Sequence, residues 1–80
     1  MFTARFTSDG SLVQRARSGD RGAFGILVER HMRSAMALAF AHVRSRHDAE
    51  DVAQDAFVAA FEKLDTLREP QRFSAWLAAI

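Results

Sequence analysis

A cluster of acidic and amide side chains is the most distinctive chemical feature of the sequence. Asp51, Gln54 and Asp55 stand at positions i, i+3 and i+4, which places their side chains together if the segment is helical. Val58 continues the same face with a small apolar side chain. Two carboxylates, an amide and an apolar group can dock a basic helix of a partner protein. A docking surface and an ordinary solvated helix face therefore stay as alternatives.

A second group near the end of the chain combines positive charge with aromatic rings. It consists of Leu67, Arg68, Arg72, Phe73 and Trp76. Arginines neutralise phosphates, and apolar or aromatic surfaces hold unstacked bases, so the group is suited to single-stranded nucleic acid. The competing interpretation places Phe73 and Trp76 in the hydrophobic core, and residue types alone favour it.

Residues for catalysis or metal binding form no recognisable site in the sequence. Cysteine and tyrosine are absent, Lys63 is the only lysine, and the glycines match no phosphate-binding motif. His31 and His42 share a helical stripe but lie about 16 Å apart along a helix, too far to bind one ion. We therefore expect no enzyme activity, no metal and no cofactor. A small hydrolase or metal enzyme that uses Asp51 and Asp55 stays as the weakest alternative.

Composition and charge limit the kinds of protein that this chain can be. Eighty residues make one domain with a marginal core, and without cysteine no disulfide can reinforce it. No apolar run approaches the roughly 18 residues of a membrane span, and residues 1–7 are no secretory signal, so we expect a cytoplasmic protein without membrane contact. Residues 1–47 hold eight arginines and three acids, whereas residues 48–65 hold one lysine and six acids. The two parts can offer surfaces of opposite charge to two partners.

The elements that position these groups are predicted to be about four helices in a compact all-α bundle. Residues 1–10 are expected to form a flexible arm, and residues 11–80 the domain. The first helix covers about residues 11–18, Gly19 ends it, and Asp20 caps the second helix. The second helix extends to about Arg44 and is apolar on more than one side, which predicts a central position in the bundle.

The third and fourth helices carry the two candidate groups. Asp48 is predicted to cap the third helix, since acidic residues suit a helix N-terminus. Its expected buried stripe consists of Ala53, Phe57, Ala60, Phe61 and Leu64. Residues 65–72 form a loop, and a fourth helix begins near Phe73. No residue ends that helix before Ile80, so we expect it to be cut short.

The run from Asp48 to Phe57, DAEDVAQDAF, resembles the signature of region two in extracytoplasmic-function (ECF) sigma factors, D-A-E-D-x-x-Q-[DE]-x-F. Three further stretches agree in the same order and at the same distances. They are Leu12-Val13 with Ala16, Gly19-Asp20 and Ala23-Phe24; Leu27-Val28 with Leu38-Ala39; and Leu64 and Leu67 with Arg72-Phe73 and Trp76-Leu77. The resemblance spans residues 11–80 and implies the sigma region-two fold.

The resemblance also implies partners. In the family, the positions of Asp51, Gln54 and Asp55 grip the clamp helices of the RNA polymerase β′ subunit, and the loop over residues 66–73 captures an unpaired base of the minus-ten promoter element. RNA polymerase core, promoter DNA and an anti-sigma protein are the partners expected. The Glu69-Pro70-Gln71 stretch departs from the glycine- and serine-rich loop of many members, which leaves the base preference open. Residues 1–80 do not include the basic continuation that the fourth helix has in the family, and a sigma-like decoy or an anti-sigma-bound interaction module without initiation activity is the alternative interpretation.

Overall fold

The computed structural model describes residues 7–80, which fold into helices joined by short turns. There are four α-helices in this part of the chain, and two short 3₁₀ turns lie between the third helix and the fourth. The described residues contain no strand. The elements are α1 (Asp9–Arg17), α2 (Arg21–Phe40), α3 (Arg46–Glu62), a first 3₁₀ turn (Leu64–Thr66), a second 3₁₀ turn (Pro70–Arg72) and α4 (Phe73–Ala78). The predicted all-α class is therefore confirmed. In residues 7–80, none of these helices combines the length and apolarity that a membrane crossing requires.

Helix α1 begins two residues earlier than the sequence predicted. The side chain of Ser8 accepts a hydrogen bond from the Ser11 amide at 3.1 Å, and Asp9 adds a carboxylate to the first turn. A serine N-cap followed by an acid favours a helix start at this point. The predicted arm over residues 1–10 is therefore wrong for Asp9 and Gly10, which are helical. Residues 1–6 of the predicted arm lie outside the described residues.

The junction between α1 and α2 agrees with the prediction. Gly19 has a φ of 104°, a left-handed conformation that favours glycine and ends α1. Asp20 then caps α2, because its Oδ1 accepts a hydrogen bond from the Ala23 amide at 3.1 Å. Arg15 donates to Oδ2 of the same carboxylate at 3.0 Å, which ties the two helices together at the surface.

The turn between α2 and α3 corrects two predicted boundaries. Helix α2 ends at Phe40 rather than near Arg44, and α3 begins at Arg46. The N-cap of α3 is Ser45, whose hydroxyl accepts a hydrogen bond from the Asp48 amide at 3.0 Å, and not Asp48 itself. Ser45 has extended backbone geometry (φ −109°, ψ 155°), so the chain must leave the helical conformation before it.

Helix α2 is central, as its apolar sides predicted, because it packs against α1, α3 and α4. The stripe of α3 is buried at Ala53, Phe57 and Ala60, and Leu64 is buried directly after it. Phe61 departs from the prediction, since 46% of its surface is exposed. Its ring lies at the edge of the bundle, 5.0 Å from the ring of Phe24 in an edge-on contact.

Candidate functional site

Asp51, Gln54, Asp55 and Val58 form one exposed surface of α3, which we call the acidic face. All four side chains point away from the buried stripe, as their spacing predicted. Val58 is 58% exposed and adds an apolar side chain to this charged surface. The acidic face is therefore available for contact along its whole length.

The carboxylates of the acidic face have little compensation from the rest of the domain. Asp51 lies 3.6 Å from Nε2 of His47, and both side chains are largely exposed. Such an exposed pair contributes about 0–1 kcal/mol to stability. Within residues 7–80, no cation lies within ion-pair distance of the Asp55 carboxylate. The surface thus presents negative charge that is only weakly compensated at Asp51 and not compensated within residues 7–80 at Asp55.

An apolar groove between α2 and α3 borders the acidic face, a feature that the sequence did not predict. It is open to solvent, has a volume of about 440 Å³ and shares Gln54 and Val58 with the acidic face. Its remaining lining residues are Phe24, Val28, Met32, Phe57, Phe61 and Glu62. The only sequence signal was that α2 is apolar on more than one side. The groove gives the charged surface an adjoining site for an apolar side chain.

The residues between α3 and α4, numbers 64–72, form what we call the connecting loop. An open depression of about 510 Å³ lies against it and is lined by Thr66, Leu67, Arg68, Glu69, Arg72, Ala75 and Trp76. Arg68 and Arg72 are exposed at this depression, and Trp76 is partly buried beside it. The structure therefore brings together four of the five side chains predicted to bind nucleic acid.

Phe73, the fifth of these residues, lies in the core. It is 0% exposed, and its ring centre is 6.0 Å from that of Trp76 and 5.4 Å from that of His31. Leu67 is also buried, with 5% of its surface exposed. The prediction that Phe73 contacts DNA is corrected in favour of the core interpretation, because α4 turns this position toward α2 and α1. Arg68, Arg72 and Trp76 are left as the accessible members of the group.

The histidines do not form a metal site in the described structure. Nε2 of His31 lies 2.8 Å from Oδ2 of Asp9, and His42 is exposed. In residues 7–80, no three histidine, aspartate or glutamate side chains are grouped in a way that could hold a metal ion. The two candidate surfaces therefore consist of charge, apolar side chains and one indole ring.

Comparison with known proteins agrees with the motif in α3. The family model for sigma-70 region 2 matches residues 27–80. The chain is 36% identical over 73 residues to the ECF RNA polymerase sigma-E factor of Haemophilus influenzae, covering 91% of this chain and 38% of that protein. It is 39% identical over 72 residues to the RNA polymerase sigma factor NccH of Alcaligenes xylosoxydans xylosoxydans, covering 90% of this chain and 39% of that protein.

The sigma-E factor of Escherichia coli K12 is 38% identical over 73 residues, with 91% of this chain and 38% of that protein covered. The chain thus spans about two fifths of the length of these curated relatives. No solved structure gives a significant match. The family match covers more than half of the chain and includes the acidic face, the connecting loop and α4. The chain belongs to the sigma-70 region 2 family, as its resemblance to ECF sigma factors predicted.

Proposed function

We propose that this domain docks on the β′ clamp helices of RNA polymerase through its acidic face, and that its connecting loop captures an unpaired base of the minus-ten promoter element. The observation that carries the proposal is the acidic face itself. Its two carboxylates, amide and apolar side chain are exposed together on one surface of α3. These are the positions that grip the clamp helices in the family that the chain resembles.

Charge supports docking at the acidic face. The clamp helices are basic at this point in the family, so attraction is the expected sign. A pair of unit charges 4 Å apart gains about 1 kcal/mol in water and about 4 kcal/mol where a partner lowers the effective dielectric constant. Asp55 has no ion pair to break within residues 7–80 before it can bind a partner. Docking would therefore cost the domain little existing stabilisation.

The apolar groove supports the same location. Val58 and Phe61 expose 58% and 46% of their surfaces beside the carboxylates. An apolar side chain of a partner helix that entered the groove would remove this surface from water and also shield the neighbouring ion pairs. The groove would contribute apolar burial to the affinity, while Asp51 and Asp55 would contribute charge attraction, orientation and choice of partner.

The connecting loop supports capture of a base. Unstacking a base costs a few kcal/mol, which the binding site must offset. Stacking on an aromatic side chain returns about 1–3 kcal/mol per base. Trp76 lies at the depression for this contact, and Arg68 and Arg72 lie beside it for phosphates. A single unpaired nucleotide is the ligand that this arrangement fits.

Binding of the chain to a purified β′ clamp-helix fragment tests the docking proposal. We expect Asp51→Arg/Asp55→Arg to weaken binding by about a hundredfold or more, since each reversal replaces attraction with repulsion. The matched control is Glu29→Arg/Asp65→Arg, which makes the same change in net charge at two exposed acids outside the acidic face. Asp20 is unsuitable as a control because it caps α2.

Circular dichroism establishes that each of these variants is folded. Loss of binding in the acidic-face variant alone supports the proposal. Equal loss in both double variants would show that only net charge matters. Failure of the folded wild-type chain to bind the fragment would overturn docking altogether.

A further inference from the structure

Helix α1 holds the connecting loop at both ends, although it contributes no side chain to the depression. We propose that Arg17 is a positioning residue for base capture: it fixes the shape of the connecting loop from behind, and Gln71 completes the fixation at the other end. This inference rests on the proposed function of the loop. The inference gives a role to Arg17 and Gln71, which belong neither to the acidic face nor to the lining of the depression.

Arg17 binds the start of the loop through backbone carbonyls. Its Nε and Nη2 donate to the carbonyl oxygen of Leu64 at 3.1 and 2.9 Å, and Nη2 also donates to the carbonyl oxygen of Leu67. These carbonyls belong to the first 3₁₀ turn and the residue that follows it, directly after α3. A guanidinium is well suited to this position, because it has several donors in one plane and its charge complements the negative end of a helix.

Gln71 binds the end of the loop to the beginning of α1. Its Oε1 accepts a hydrogen bond from the Gly10 amide at 3.3 Å, and its Nε2 donates to the Ser8 hydroxyl at 3.4 Å. A Cβ atom at position 10 would collide with the side-chain amide of Gln71. A side chain at position 10 would therefore displace the Gln71 amide from its present position, in which it joins the second 3₁₀ turn to the start of α1.

The two attachments lie on a rigid support and leave the middle of the loop accessible. Leu12 and Val13 of α1 are both 0% exposed, so α1 is itself firmly packed. Between the attachments, Arg68 and Glu69 are exposed. Ordering one backbone residue on binding costs roughly 1–2 kcal/mol, and a loop that is already ordered avoids this cost.

The hydrogen bonds of Arg17 argue that it acts through the loop and not by contact with DNA. Its Nε and Nη2 are both directed at loop carbonyls, and the side chain is partly buried. A residue that contacts a phosphate contributes about one unit to the dependence of log affinity on log salt. A positioning residue changes affinity without changing that slope. The salt dependence therefore separates the two roles.

The test compares Arg17→Met with Arg15→Met in complex with core RNA polymerase. Both changes remove one arginine from α1, but Arg15 pairs with Asp20 at the surface and does not bond to the loop. The probes are single-stranded oligonucleotides of thymidine that differ in one central base, measured at several salt concentrations. Amide hydrogen exchange at Thr66 and Leu67, whose amides bond within the first turn, reports the order of the loop directly.

We expect Arg17→Met to weaken the best probe about tenfold, the factor for ordering roughly one more residue on binding. The salt slope should be unchanged, and the Thr66 and Leu67 amides should exchange faster than in wild type. Arg17→Lys keeps the positive charge but lacks the planar set of donors, so it should bind the probe more tightly than Arg17→Met and less tightly than wild type. Gly10→Ala displaces Gln71 at the other end of the loop and should also weaken binding, leave the salt slope unchanged and speed amide exchange. It serves in place of Arg17→Met if that variant does not fold.

Other results overturn the inference. A salt slope that falls by about one unit in Arg17→Met would make Arg17 a phosphate contact. Unchanged affinity in folded Arg17→Met and Gly10→Ala, with wild type binding normally, would overturn positioning and leave base capture intact. If the wild-type complex itself bound none of the probes, the proposed function of the loop would fail and the inference with it.

Discussion

Replacing Phe73 with leucine separates the core role of this residue from a role in DNA binding. Phe73 is 0% exposed and its ring lies against those of Phe24, His31 and Trp76. Complete truncation of such a side chain to alanine costs about 3–5 kcal/mol. Leucine keeps much of the volume, so we expect Phe73→Leu to lower the free energy of unfolding by about 1–2 kcal/mol.

The size of the domain makes this loss easy to detect. At about 0.05–0.15 kcal/mol per residue, a chain of 80 residues has a free energy of unfolding of about 4–12 kcal/mol. With a slope of about 1 kcal/mol per molar urea for so small a domain, the midpoint should fall by about 1–2 M. Circular dichroism follows this transition without depending on Trp76.

Trp76→Leu is the matched variant, for which we expect a loss of DNA binding with a smaller loss of stability. Trp76 is only partly buried and lines the depression, so its loss should cost less stability but remove base stacking worth about 1–3 kcal/mol. Anisotropy of a labelled oligonucleotide, with the chain bound to core polymerase, measures this loss. A Phe73→Leu protein with wild-type stability and the DNA-binding defect of Trp76→Leu would refute the assignment of Phe73 to the core.

Two further predictions concern helix capping. Ser45→Ala should lower the free energy of unfolding by about 1 kcal/mol, because Ser45 accepts the Asp48 amide hydrogen bond, and urea denaturation should show a smaller effect for Asp48→Ala. If Asp48→Ala is the more damaging change, Ser45 is not the dominant cap. For Asp20, the hydrogen bond from the Ala23 amide, followed by that from Arg15, lowers the pKa of the carboxyl below its usual value of 3.8. The ionised Asp20 carboxylate therefore stabilises the fold at pH values above 3.8. This contribution to the free energy of unfolding is lost as the pH falls through the lowered pKa. Asp20→Asn should be less stable than wild type at neutral pH, and the difference in urea midpoint should close in acid; a difference that stays constant would contradict the charge effect.

Local periodicity was sufficient to predict much of this structure. The spacing of Ala53, Phe57 and Ala60 predicted the buried side of α3, and the acidic face follows on the opposite side. Periodicity does not determine how much of a helix its neighbours cover. Phe61 continues the apolar stripe, yet it lies at the edge where α2 covers only part of it. The apolar groove was missed for the same reason.

Helix ends were less predictable because several residues can serve as the cap. Ser45 and Asp48 are both good N-cap residues, and an apolar pattern that extends past Phe40 does not distinguish between them. The choice depends on which residue leaves the helical conformation, and Ser45 does so with an extended backbone. Asp48 then contributes as an acid in the first turn instead of as the cap.

The attachments of the connecting loop could not be predicted from local patterns at all. Arg17 reaches carbonyls 47 and 50 residues further along the chain, and the amide of Gly10 reaches a side chain 61 residues away. Arg17 looks like any arginine near the end of a surface helix until the fold brings it to Leu64. Only the three-dimensional structure separates it from Arg15, which pairs locally with Asp20.

These long-range bonds connect α1 to the proposed function, although the family match begins at residue 27. A domain of this size has a marginal core, so the exposed middle of the loop has little surrounding structure to hold its shape. The connecting loop is held by its buried Leu64 and Leu67 and by hydrogen bonds to α1, from a guanidinium at one end and to a glutamine amide at the other. Changes in α1 should therefore reach base capture while leaving the acidic face on α3 unaffected. Clamp-helix binding that stays at the wild-type level in Arg17→Met would show that the two surfaces are independent.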